Sequence, residues 1–309
     1  MAVTKEKLFA GTENLLTLRD WVRFAVSSYR REHLFFGQGC DNAYDEAVYL
    51  ILSVLNLPQE GPETFFDTRL TASEIESVKV ALGRRIIERV PAAYITREAW
   101  LGSCRFYVDE RVIVPRSYFA EIISGELMNW VADADSVVRV ADVCTGGGSL
   151  AILLALAFPQ AHVDAFDISV PALQVAQKNV EDYGLSDRVS LFESDVLSAS
   201  PAKEELYDII VSNPPYEPEN LRKDLPEEFR HEPDNALFSG ADGMDVIRKL
   251  LRQAAKKLKP NGLLLIEVGG LHDDLQAAFP QIEFNWLPTA DESDCVCLLH
   301  ATDLKNLEK

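Results

Sequence analysis

Basic residues are in short supply. Against 49 Asp and Glu stand only 30 Lys and Arg, a net charge of −19. A field of that sign repels a phosphate backbone, so direct DNA binding is not expected. It attracts a basic protein, although solubility alone would account for the same balance. Cysteine is sparse too: Cys40, Cys104, Cys144, Cys295 and Cys297 are scattered and odd in number, which excludes a disulfide framework and suits a reducing compartment. On a strand Cys295 and Cys297 would share a face while His300 has the opposite parity. Such ligands do not converge, so no metal site is expected and the thiols read as small buried hydrophobes. No apolar run approaches membrane-spanning length, and the opening "MAVTKEKLF" lacks the apolar core of a signal peptide. The cytoplasm is the expected location, with no membrane partner. Internal repeats and low-complexity segments are absent as well.

What is present is the composition of an ordinary globular protein, 47% hydrophobic and 26% charged over 309 residues, enough for a catalytic domain and an accessory one. Residues 1–96 read as a helical domain. Leu18, Trp21, Val22, Val26 and Tyr29 recur at helical spacing, and a second helix follows Asp41 with Ala47, Val48, Ile51, Leu52 and Leu55 on its apolar side. A third opens on the capping-box pattern Thr71-Ala-Ser-Glu74 and stops at Pro91. Residues 97–116 are rich in aromatic and β-branched side chains and predict a β-hairpin linker.

From 117 to 309 strands and helices alternate. Strands are predicted at 137–143, 162–166, 189–192, 207–212, 263–268, 282–286 and 295–300, with helices at 149–157, 170–183, 243–259 and 271–278. Alternation of this kind predicts an α/β fold, a doubly wound and largely parallel sheet with its site at the carboxyl ends of the strands. The last two strands are joined too briefly for a helical crossover, so they should pair antiparallel.

The first of these strands runs into "VCTGGGSLAILLALAF". Gly146, Gly147 and Gly148 let the backbone turn tightly and approach a ligand at a helix N-terminus. Asp167, at the end of "HVDAFD", can accept hydrogen bonds from both hydroxyls of a ribose. Alone, the loop is equally compatible with a dinucleotide, since Gly146-x-Gly148-x-x-Ala151 satisfies that fingerprint. Asp142, just before the glycines, could orient the loop or meet a ligand's ammonium. Asp195, after the third strand, could accept the amino group of adenine. Three acids after three successive strands fit a nucleoside lying across the sheet edge, and S-adenosylmethionine, with its ammonium and sulfonium, suits an acidic pocket better than a pyrophosphate does.

The fourth strand ends abruptly at Asn213-Pro214-Pro215-Tyr216. The Asn213 side-chain oxygen and the Pro214 carbonyl are acceptors, Pro215 stiffens the step, and Tyr216 offers a ring for stacking. Together they predict a socket for a planar NH₂ group. An amide nitrogen is a poor nucleophile because its lone pair is delocalised; two acceptors gripping its hydrogens would aim that lone pair at an electrophilic methyl.

The sequence thereby resembles the class I S-adenosylmethionine-dependent methyltransferases, and within them the protein-glutamine N-methyltransferase family with an Asn-Pro-Pro-Tyr motif. The resemblance implies a seven-stranded sheet with an antiparallel last strand, a helical N-terminal domain and methylation of a glutamine side-chain amide. It makes Cys144, Thr145, Gly146, Gly147 and Gly148 the loop around the methionine end of the cofactor, Asp167 with Ile168 the ribose side, Asp195 with Val196 the adenine contacts, and Asn213 to Tyr216 the holders of the target amide. Gly147 stands where the family usually has Ser or Thr, which removes one hydroxyl contact. "DERVIVPRS" and Arg230-His231-Glu232-Pro233 are similar to the branch acting on a basic large-subunit ribosomal protein rather than the branch acting on release factors. Between Glu217 and Asp234, seven acids against three bases would steer such a partner in. DNA adenine methyltransferases share the strand-end motif but need a positive groove. A nicotinamide dehydrogenase would use the glycine loop and Asp167 yet leave Asn213 to Tyr216 unexplained.

Overall fold

A computed structural model describes residues 4–201 and 206–304. The chain divides into two compact units: one runs to Ala99 and takes in Pro226–His231, the other comprises Trp100–Leu225 and the chain from Glu232 onward.

The first unit is built on helices Leu18–Arg31, Ala43–Val54 and Ala72–Ile86. Each opens on a side-chain cap that satisfies otherwise orphaned N–H groups: Thr17 with Asp20, Asn42, and Thr71 with Glu74. Their apolar stripes meet in a core that includes Leu18, Trp21, Leu50, Val78 and Leu82. Within it Arg85, 1% exposed, is bonded through Nε to Glu46 Oε1 at 2.7 Å and through Nη1 to Glu228 Oε1 at 3.1 Å. Glu228 sits in the loop beyond the Asn-Pro-Pro-Tyr motif, and this pairing assigns that loop segment to the helical unit.

Strands β1 (Glu98–Leu101) and β2 (Cys104–Tyr107) form a two-stranded sheet, and residues 108–118 follow without regular structure. The second unit is then dominated by β3 (Arg139–Val143), β4 (His162–Asp167), β5 (Val189–Glu193), β6 (Tyr207–Ser212), β7 (Leu258–Glu267), β8 (Asn285–Trp286) and β9 (Val296–His300). They lie in the order β5-β4-β3-β6-β7-β9-β8. Pairs from β5 to β7 are parallel, and β9 runs antiparallel to both of its neighbours. This is the seven-stranded doubly wound sheet with a reversed last strand.

Side chains alternate between two cores, as the period of two demands. Val140, Ile209, Val211, Leu263 and Leu265 pack on one face with Leu150 and Leu154 of helix Ser149–Ala157. Ala141, Val143, Ile210, Leu264 and Ile266 pack on the other with Ile247, Leu250 and Leu251 of helix Asp245–Ala254. Each fully buried Leu or Ile contributes about 1.5–3 kcal/mol, so the central strands are held from both sides. Because β3 lies between β4 and β6, the chain reverses its winding direction there, which opens a crevice beyond the carboxyl ends of these strands.

Several boundaries differ from expectation; the helix expected to stop at Pro91 already ends at Ile86. The helix predicted over 243–259 is shorter, Asp245–Ala254. Gly243 has φ +79, outside helical space, and at the other end Leu258 has already begun to pair with Tyr207. Strand β7 therefore starts five residues before its predicted position, and a bulge opposite Tyr207–Ile209 accommodates the extra chain. Strand β8 keeps only two residues, because Ile282 closes a turn onto Phe279 (N to O, 3.0 Å) and buries its side chain.

Candidate active site

The glycine loop follows β3. Cys144 takes φ +62 and Gly146 φ +53, Thr145 N–H donates to Phe166 O at 2.9 Å, and helix Ser149–Ala157 begins after Gly148. A Cβ on Gly146 would have nothing within 4 Å, so this glycine faces open space at the cavity. Gly148 is required for another reason: at φ +80 its Cβ would lie 3.1 Å from that of Ala176. It belongs to the packing of two helices and does not line the cavity. At Gly147 a Cβ would meet Asn179, Val112 and Val175 at an ordinary 3.7 Å, so a small side chain would fit.

Asp142 lies beneath the loop rather than in the cavity. It is buried, its Oδ2 accepts from the Thr145 hydroxyl at 2.5 Å, and burial pushes its carboxyl up to about 7. In this position its Oδ2 holds Thr145 and so orients the loop. Asp167, at the end of β4, reaches the cavity. Its Oδ2 accepts from Gly146 N–H and its Oδ1 from Ser169 N–H, both at 2.8 Å. Burial raises this carboxyl, and the backbone donors of Ser169, Gly146 and Ile168 pull the other way. Each oxygen keeps a lone pair for a ligand hydroxyl. Ile168, 59% exposed, forms an apolar lip, and Val196 lines the wall with φ +58. Asp195 also lines the cavity, but its Oδ2 is paired with Lys249 Nζ at 2.6 Å, so only part of its accepting capacity faces a ligand.

Beyond β6, Ser212 Oγ donates to Val143 O at 2.7 Å and ties the two strand ends together. Asn213 follows. Its Nδ2 donates to Glu267 Oε1 at 3.2 Å and to the Arg116 carbonyl at 3.4 Å, which leaves Oδ1 as the open acceptor. Pro215 lines the cavity; Pro214 is buried beside it. Tyr216 does not line the cavity. Its ring is seated on Gly269, where a Cβ would come 2.5 Å from Cε2, and burial raises its phenol. A stacking platform exposed to the cavity was expected here; the side of the ring at Cδ2, Cε2 and Cζ is instead taken up by the turn after β7.

Several cavity residues carry no role in the sequence reading. Arg111, Arg116 and Ser117 come from the segment after β2, and Pro233, Asn235 and Ala236 from the far end of the acidic stretch. Arg116 clasps the buried Glu232 with Nη1–Oε1 at 2.5 Å and Nη2–Oε2 at 2.7 Å, and Glu232 Oε1 also accepts from Val114 N–H at 3.1 Å. Arg111 is held by Asp109 at 2.6 and 2.8 Å, which lowers that acid to about 2. The segment 109–117 is therefore a cavity wall, whereas of Arg230-His231-Glu232-Pro233 only Pro233 lines the cavity. Glu267 is the other omission, and a signal for it existed: the apolar run Leu263–Ile266 ends in an acid at the same sheet edge as Asn213.

The acidic stretch is less acidic in space than in sequence. Among its seven acids, Glu228 and Glu232 have 2% and 0% of their side chains exposed and are consumed by Arg85, Arg89 and Arg116. Asp234 pairs with Arg222, and Glu227 with Arg230. Burying those two carboxylates requires such partners, so their charge is not available for steering.

Residues 124–242 match the family described as methyltransferase small domain. The chain is 47% identical over 293 residues to the ribosomal protein uL3 glutamine methyltransferase of Burkholderia pseudomallei (strain K96243), covering 93% of this chain and 95% of that protein. It is 49% identical over 287 residues to the protein of the same name from Bordetella pertussis (strain Tohama I / ATCC BAA-589 / NCTC 13251), covering 93% and 96%. Among solved structures, the hMettl16 catalytic domain in complex with MAT2A 3'UTR hairpin 1 is similar in fold, with a TM-score of 0.51 at 14% identity over 83% of this chain and 91% of that one.

Proposed function

Since the chain belongs to the ribosomal protein uL3 glutamine methyltransferases, we propose that it transfers a methyl group from S-adenosylmethionine to the side-chain amide nitrogen of a glutamine in ribosomal protein uL3, in the cytoplasm. The observation that carries this reading is the orientation of Asn213. With Nδ2 committed to Glu267 and the Arg116 carbonyl, the side chain offers an acceptor to the cavity, as a substrate NH₂ requires.

The residues present fit the cofactor. Gly146 leaves an open cradle that any Cβ would begin to fill, the Asp167 oxygens have capacity for a ribose diol, and Ile168 offers an apolar surface to a base. S-adenosylmethionine would supply an electrophilic methyl on a positively charged sulfur. Gly146 and Thr145 would border its methionine end, Asp167 its ribose, and Val196 with the free part of Asp195 its adenine. The contribution of Asn213 and Pro214 is positioning: Asn213 Oδ1 and the Pro214 carbonyl accept the two amide hydrogens and hold the nitrogen lone pair toward the cofactor side. Pro215 cannot donate at the step that follows, so no N–H competes for the socket. A basic ribosomal protein suits the overall charge of −19.

Purified enzyme incubated with labelled S-adenosylmethionine and unmethylated uL3, followed by peptide mapping, should place the label on a glutamine side chain. Label on another residue type, or none, would refute the assignment. Asn213→Ala should lose roughly 10²-fold or more in kcat, while calorimetry finds cofactor affinity nearly unchanged.

A further inference from the structure

Glu267 ends β7 beside the motif. Because β6 and β7 are parallel with Ser212 opposite Ile266, the residues that follow, Asn213 and Glu267, emerge side by side at the sheet edge. We propose that Glu267 is a positioning residue that fixes the polarity of the Asn213 amide, holding Nδ2 toward itself so that Oδ1 is presented to the substrate NH₂. The proposal rests on the reading of Asn213 given above, and it adds a cause for the orientation.

The donors around the carboxylate dictate this orientation. Oε2 accepts from Tyr118 N–H at 3.1 Å and from Ser117 Oγ at 2.5 Å. A backbone N–H can only donate. Ser117 Oγ in turn accepts from Phe119 N–H at 3.1 Å, so its own hydrogen points at Glu267. Oε2 is thereby committed as an acceptor by two donors. Oε1, the remaining oxygen of an ionised carboxylate, can also only accept, and its partner Asn213 must present Nδ2. The Arg116 carbonyl, another pure acceptor, reinforces that choice at 3.4 Å.

Protonation would reverse it. Since Oε2 faces two donors, an added proton has to reside on Oε1, where it meets Nδ2 and favours rotation of the Asn213 amide by half a turn. Asn213 would then offer its NH₂ to the NH₂ of the substrate, donor against donor. The charged and titratable groups facing Glu267 are Arg116, which favours its ionised form, and Tyr216 and Cys295, both themselves shifted upward by burial and by the Glu267 charge. Burial of Glu267 outweighs its donors and Arg116 and raises its carboxyl to about 7. Turnover should therefore be full above about pH 8 and decline as the pH falls through about 7.

The test is Glu267→Gln, alone and combined with Asn213→Asp. The glutamine has to turn its oxygen to Ser117 and Tyr118, so its NH₂ faces Asn213 and the amide rotates. Expected for the single variant is a kcat lowered roughly 10²-fold, with KM for uL3 and cofactor affinity close to wild type and the fall below about pH 7 abolished. In the double variant the carboxylate introduced by Asn213→Asp accepts from the glutamine NH₂ with one oxygen and from the substrate with the other, so at least about tenfold of the loss should return. A merely structural role for Glu267 predicts no such rescue. A second readout needs no substrate: the side-chain amide resonances of Asn213, assigned by their loss in Asn213→Asp, should titrate near pH 7 in wild type and not in Glu267→Gln. Glu267→Gln with wild-type kcat and pH profile, or Asn213 resonances that ignore the substitution, would overturn the proposal. If the resonances titrate as expected but wild-type enzyme leaves uL3 unmodified, the polarity lock stands and the substrate assignment falls.

Discussion

Asp167 shapes the fold at the cavity where we propose that it also meets the ribose of the cofactor. Its two oxygens hold the N–H groups of Gly146 and Ser169, so the acid shapes the loop before any ligand arrives. Asp167→Asn cannot accept from both N–H groups, because one end of an amide is a donor. The expected result is a loss of S-adenosylmethionine affinity of about tenfold or more, from one broken charge-assisted bond worth roughly 1.5–3 kcal/mol. Calorimetric titration checks it, and unchanged affinity would remove Asp167 from the binding site. Tyr216 illustrates the opposite case. A ring next to a socket suggested stacking, yet Gly269 occupies part of its surface; what decides its surroundings is a turn more than fifty residues downstream.

At the level of elements, the three glycines of one loop answer to different demands. Gly148→Ala would force an alanine to φ +80 against Ala176 and should cost about 1–3 kcal/mol, read as a lowered urea midpoint. Gly147→Ser, placed where there is ordinary room, should leave the unfolding free energy within about 0.5 kcal/mol of wild type. Equal destabilisation by both would mean that loop conformation, not helix contact, sets the requirement. In the helical unit, Arg85 joins helix Ala72–Ile86 to helix Ala43–Val54 and to the loop at Glu228. Arg85→Met leaves Glu46 buried without its cation and Glu228 with Arg89 alone, and the expected destabilisation is roughly 3–5 kcal/mol. A variant as stable as wild type would show that these acids neutralise at little expense.

For the whole molecule, pH and salt act through different groups. Burial raises Asp142 and Glu267 to about 7, and it raises Glu46, Asp167 and Glu217 as well. A carboxyl that binds its proton more tightly when folded adds stability that is complete below its unfolded value of about 4 and lost as the pH rises through its folded value. The ligand-free protein should therefore lose stability between about pH 4 and about pH 7. Asp109 and Asp242, lowered to about 2, act oppositely, and their contribution disappears only in more acid solution. Denaturant titrations across that range provide the check; stability rising steadily from pH 4 to pH 7 would contradict it. Separately, the charge of −19 should make association with a basic substrate salt-sensitive, with the on-rate falling about tenfold or more from about 50 mM to about 500 mM salt.

Much of this was legible along the chain because it depends on local pattern. Alternating apolar runs and helical stripes located β3 to β6 to within two residues, the Thr71–Glu74 capping box opened its helix, and the glycines and Asn-Pro-Pro-Tyr marked one sheet edge. Boundaries failed where pairing with a distant strand overrode local preference, as when Leu258 joined Tyr207 and cut the preceding helix short. Contacts between remote residues were hidden for the same reason. Glu267 and Asn213 are 54 positions apart, and Arg85 and Glu228 are 143 apart. Parallel crossovers and helix packing bring such groups together through register and side-chain fit, which no short window of sequence contains. The sequence by itself determined the fold class and the placing of the glycine loop and of Asn213 to Tyr216 at one sheet edge. Only the tertiary structure decided which acids are spent in buried ion pairs and which carboxylate holds the Asn213 amide, because a charge acquires its role from the donors that surround it.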